Sequence, residues 1–149
     1  MSLTTGQGRD AIIGLIETAW EASGAASELV LMLYENTPGD KPGEDASTGK
    51  SLPYAKTSIR HRTSPQITQG SARRYLTEGV VTVEIYTPLG DGHTLSDALS
   101  AVILSALRGH TGSAGGIWFY DIEPPKEIGP TGGWFQVNVS ANFRYQERP

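Results

Sequence analysis

Between Trp134 and Gln146 the side chains alternate without a slip. Phe135, Val137, Val139, Ala141, Phe143 and Tyr145 fall on one side, and Gln136, Asn138, Ser140, Asn142 and Arg144 on the other. Successive side chains of a strand point to opposite faces, so this stretch predicts one long strand with a buried face and a wet face. A sheet with one wet face is mainly antiparallel, and its apolar face needs a cover.

Two segments of helical period can supply that cover. From Arg9 to Ala22, Ile12, Ile13, Leu15, Ile16, Ala19 and Trp20 recur at three- and four-residue spacing, with Glu17 and Glu21 opposite and Gly24 as a stop signal. From Thr94 to Arg108 a second stripe runs through Leu95, Ala98, Leu99, Val102, Ile103, Ala106 and Leu107. There Thr94 is expected as N-cap with Asp97 reaching back to it, and Gly109 as a left-handed C-terminal residue. Asp91 and Asp97 at its start, and Arg108 and His110 at its end, suit the helix dipole.

Further strands are expected at Leu29 to Tyr34, Pro53 to Thr63, Arg73 to Glu78, Val80 to Thr87 and Gly116 to Ile122, with Gly79 breaking the third from the fourth. Residues 35–52 hold almost nothing apolar, and residues 123–133 are rich in proline and glycine. Both predict long mobile loops, the second unable to pair. The expected order is α-β-β-β-β-α-β-β, an α+β fold: a mainly antiparallel sheet with both amphipathic helices on one face. With 149 residues, 38% of them hydrophobic, the chain suits one domain spanning residues 1–149 around one core.

Most chemistry is excluded early. The chain has no cysteine, which removes disulfides, thiolate metal sites and a cysteine nucleophile. The three histidines, His61, His93 and His110, have no partners at metal-ligand spacing. No serine sits in a nucleophile elbow, so neither a catalytic residue nor a metal is assigned. Gly6-Gln7-Gly8-Arg9-Asp10-Ala11 matches G-x-G-x-x-A, but no βαβ strand precedes it, and no cofactor is expected. Glu78, Glu84 and Glu123 would work as paired carboxylates only if the fold joined two of them. The first residues lack a basic and apolar leader, and apolar runs fall far short of the roughly 18 that suggest a membrane span. An unexported chain without a membrane partner is the expectation.

One concentration of charge stands out. Arg60, Arg62, Arg73 and Arg74 bracket a polar turn in a chain of net charge −4. They suit an edge hairpin protected from aggregation, or a protein-docking surface for an acidic neighbour. Without interleaved aromatics or a recognition helix, they do not suit DNA reading.

Several stretches taken in order resemble one family. These are Ile12 to Trp20, Tyr34-Glu35-Asn36-Thr37-Pro38, Val83 to Gly92, Glu127-Ile128-Gly129, and Gly133 to Val139. Together they are similar to the tail terminator and tail completion proteins of long-tailed bacteriophages and prophages. The resemblance implies a structural virion protein without catalysis, forming a hexameric ring on the last layer of the tail tube. Such a ring stops tail polymerisation and offers the head its attachment surface. It implies as partners further copies of the chain, the tail tube protein and a head-completion or connector protein, with DNA only as passing cargo. It also implies location in the host cytoplasm during assembly and then in the virion tail. The alternatives are a head-completion or connector protein of the same joint, and a small α+β ligand-binding module or enzyme. Either Trp134 to Gln146 or Pro53 to Thr63 is expected to offer the self-associating strand edge.

Overall fold

A computed structural model of the chain describes residues 4–23, 30–35, 52–70, 73–90, 92–109 and 116–147. The expected loop at 35–52 lies almost entirely outside them, as do Gly24, Asp91 and His110. Two helices and six strands follow in the order α1 (Thr5–Ala22), β1 (Leu31–Tyr34), β2 (Tyr54–Thr63), β3 (Tyr75–Pro88), α2 (Thr94–Arg108), β4 (Ile117–Tyr120), β5 (Lys126–Thr131) and β6 (Trp134–Glu147). The fold is α+β, as the stripes predict.

Helix α1 begins earlier than its apolar stripe, because Thr4 and Gln7 form a reciprocal capping box. Thr4 Oγ1 accepts from the Gln7 amide at 3.2 Å, and Gln7 Oε1 accepts from the Thr4 amide at 3.0 Å. The glycine motif is therefore helical. Gly8 has a packing reason: a Cβ there would stand 2.6 Å from Cζ of the buried Tyr145 ring. Helix α2 departs from its expected caps. His93 occupies the N-cap without a side-chain bond, Thr94 is already helical, and Gly109 has a right-handed φ of −73°. Ser96 and Ser100 are buried on the helix, and their hydroxyls donate to the carbonyls of His93 and Ser96.

The main path of the sheet runs β1-β2-β3-β6-β4, and β5 also pairs with β6. All pairings are antiparallel except β1 with β2, where Leu31 to Tyr34 run parallel to Tyr54 to Thr57. On one face Ile12, Ile16 and Trp20 of α1 and Leu99, Ile103 and Leu107 of α2 share a single core with Val81, Val83, Ile85, Val139, Ala141, Phe143 and Tyr145. The opposite face carries Lys56, Ser58, Arg60, Thr82, Glu84, Asn138, Ser140 and Asn142 in register, none of them buried. The alternation of β6 is realised as read. Among the described residues no helix is long and apolar enough to cross a membrane.

Two expectations about the strands are also corrected. Gly79 does not separate two strands: β3 is continuous, and Gly79 pairs with His61 on one side and Phe143 on the other. Nor is 123–133 unable to pair, since β5 forms a hairpin with β6 through Gly132 at φ +60°. Pro130 is tolerated because β5 needs ladder bonds only toward β6, and Gly129, at φ +105°, ends the register shift after Glu127.

Candidate functional site

The four arginines are distributed between two places. Arg60 and Arg62 project from the open face of β2, whereas Arg73 and Arg74 lie in the connection before β3. The Arg60 guanidinium pairs with Glu35, just beyond β1, and holds that carboxyl below its ordinary range, chiefly through the hydrogen bond itself. Both groups are well exposed, so the pair contributes little to stability. Arg62 reaches across β3 to Asn142 Oδ1 at 3.1 Å. Arg73 donates to the Gly70 carbonyl, and the Arg74 amide donates to Thr68 Oγ1 at 2.7 Å. Arg60 instead shares a cavity with Arg9 of α1, a residue that the charge pattern did not single out.

These two arginines border a cavity of about 290 Å³ between α1 and the margin of β2, where Ile13, Tyr34, Glu35, Thr57, Ile59 and His61 complete the wall. The Tyr34 hydroxyl is buried without a hydrogen-bond partner among the described residues. Burial, reinforced by Glu17 and Glu21 of α1, pushes its pKa up to about 12.

The margin itself is incomplete. β1 pairs with β2 only as far as Thr57, so Ser58 to Thr63 have no strand on that side among the described residues. β6, by contrast, is covered on both flanks. β3 runs along one, and β5 and β4 share the other, with the Glu123 amide donating to Ser140 O between them. Trp134 to Gln146 therefore cannot serve as a free edge, since its backbone groups are already used by its neighbours. Pro53 to Thr63 retains that capacity over its second half.

The remaining polar residues have local duties. His61 shares a 2.9 Å hydrogen bond with the Tyr145 hydroxyl, and His93 meets Phe135 edge-on at 5.3 Å. Glu84 accepts from the Tyr86 hydroxyl at 2.9 Å, and Glu78 lies across from Arg144, so the fold does not couple these carboxylates to each other. No group of three or more metal-ligating side chains occurs among the described residues. The sequence reading missed an aromatic cluster on the open face. Tyr54 stacks on Tyr86 at 4.5 Å and meets Trp134 edge-on, and Trp134 Nε1 donates to Leu52 O. Strand alternation puts Tyr54 and Tyr86 on the same face as Lys56 and Glu84, but their contact requires the β2–β3 register.

His61 carries a pH prediction. Burial, then the charge of Arg9, holds its pKa below the ordinary 6.5. The folded chain thus resists a proton that the unfolded chain accepts. Stability from this residue is complete above pH 6.5 and is lost as pH falls toward the folded value. Urea unfolding between about pH 8 and about pH 5 should show the stability gap between wild type and His61→Gln narrowing on acidification. A constant gap would refute it.

No protein-family model matches the chain, and no curated protein does. Among solved structures, one chain bearing no functional description superposes with a TM-score of 0.59 at 18% identity, covering 99% of each chain. A chain from the virion of a native gene transfer agent particle gives a TM-score of 0.47 at 14% identity, over 88% of this chain and 91% of that one. The first likeness shows that this arrangement of helices and sheet recurs along a whole chain of similar length.

Proposed function

We propose that this chain is a structural virion protein. It acts as a tail terminator, forming a ring on the end of the tail tube, halting tube growth and presenting the surface that the head joins. The observation that carries this reading is the pair of unlike sheet margins: β1 with the uncovered half of β2 at one end, and β4 with β5 at the other. Unlike margins on one rigid sheet make a head-to-tail contact, which closes into a ring when the rotation per subunit divides a full turn. The ordered resemblance of the sequence to tail terminator proteins supports the same reading. Its partners are then further copies, the tube protein and a head-completion or connector protein. The protein acts in the host cytoplasm and ends in the virion tail, without turnover. A ring of chains that each carry −4 repels the DNA passing through it rather than holding it.

Deleting the gene from its phage tests the proposal by electron microscopy of the lysate. Overlong tubes without heads are the expected result. Tails of normal length beside filled but unattached heads would transfer the chain to the connector role.

A further inference from the structure

We infer that the uncovered half of β2, Ser58 to Thr63, seats strand β4 of a second copy, so that the sheet continues across the subunit boundary. This deepens the ring reading above and rests on it. The backbone provides the first argument. Thr57 O accepts the Glu35 amide at 3.2 Å on the β1 side. Strand alternation then turns the N–H and C=O of Ile59 and His61 to that same side, where no strand meets them among the described residues. The Arg60 side chain folds back to the Ile59 carbonyl at 3.3 Å, a makeshift partner for an open ladder position. Exposed ladder groups of this kind are templates for a further strand.

The cavity gives the second argument. It opens at the same stretch, beneath α1, and Tyr34 forms part of its wall. A strand laid along Ser58 to Thr63 would cover this gap. Alternate side chains would face Ile13 and Ile59, and the others would join Arg60 and Arg62 on the open face.

Charge and edge chemistry select the occupant. The cavity at the receiving margin is lined by Arg9 and Arg60 against Glu35, with Glu17 and Glu21 of α1 acting on Tyr34 behind it. At the other margin β5 is protected from strand addition by Pro130 and by the irregularity at Gly129. β4 ends the main path of the sheet, exposes Trp118 to 37%, and is followed by the acidic pair Asp121 and Glu123. A basic seat and an acid-flanked strand on opposite ends of one sheet are complementary between copies and cannot meet within one. The contact is heterologous, as a ring requires.

Because the chain has no cysteine, single cysteines can test the contact. Thr63→Cys and Trp118→Cys are prepared as two full-length proteins, mixed in equal amounts at high concentration and treated with a short bismaleimide. Mass spectrometry of the digest should find the 63–118 product at least about tenfold above either like-with-like product. Adding Asp121→Lys and Glu123→Lys to the Trp118→Cys protein should lower that yield about tenfold, and adding Arg9→Glu and Arg60→Glu to its partner should restore it. Circular dichroism confirms that each variant folds. A 63–118 yield no greater than the like-with-like yields, or insensitive to charge reversal, overturns the inference. If rings still form by mass measurement, only this edge assignment fails. If neither rings nor tube-bound assemblies form, the ring reading fails with it.

Discussion

Replacing Gly79 by valine should destabilise the chain by more than about 3 kcal/mol, a large part of the 5–15 kcal/mol that holds an ordinary domain. A Cβ at this position would stand 2.6 Å from Cζ of Phe143, with the Arg60 carbonyl oxygen also in its way. Neither obstacle can retreat easily. Phe143 is fully buried, with the His61 ring edge-on to it at 5.4 Å. The Arg60 carbonyl is backbone, and β3 is fixed between β2 and β6 by ladders on both sides. Overpacking alone costs typically about 1–3 kcal/mol, and a displaced ladder adds to it. Gly79→Ala should lose less, and combining it with Phe143→Leu should cost less than the sum of the two changes, because the smaller side chain vacates the space that the methyl needs. Urea unfolding of wild type and the four variants measures this directly. A loss below about 1 kcal/mol for Gly79→Val would show that the ring and strand can move apart.

Gly79 also marks the boundary of what could be read from the chain. Local pattern suffices where an element's register is set by its own alternation, as in β6, or by a long stripe, as in the last three turns of α1 and throughout α2. The meaning of a glycine depends on a partner distant in sequence. Gly79 reads as a strand break until Phe143 is placed over it, and Gly8 reads as part of a phosphate-loop pattern until Tyr145 is placed against it. Pro130 likewise argues against a strand until β5 is known to lie at an edge. The arginines were visible by spacing, but their division between β2 and the following connection was not. The cavity was hidden for the same reason, since Arg9 and His61 are far apart in sequence and meet only when α1 lies over the margin of β2.

Trp20 should be the most costly single side chain to remove from α1. It is 4% exposed, stands in the core at the C-terminal end of the helix, and donates from Nε1 to the Val30 carbonyl at 3.0 Å. Val30 is itself buried and immediately precedes β1, so one indole both fills the core and fixes the entry to the edge strand. Trp20→Ala should cost about 3–5 kcal/mol, from lost burial and the space left behind. Trp20→Phe keeps most of the apolar volume but leaves the buried carbonyl without its donor, at about 1–3 kcal/mol. The two variants separate packing from anchoring. β1 pairs with β2 over only four residues, so the phenylalanine variant should loosen β1 locally before the whole domain yields. Amide exchange at Leu31 to Tyr34 should accelerate well beyond that of β3 and β6, whose long ladders remain intact. Uniform acceleration across the sheet would instead assign Trp20 a purely global role. A fast-exchanging β1 in Trp20→Phe would also lengthen the uncovered part of β2, so the same variant reports whether strand entry at that margin is limited by how far β1 extends along it.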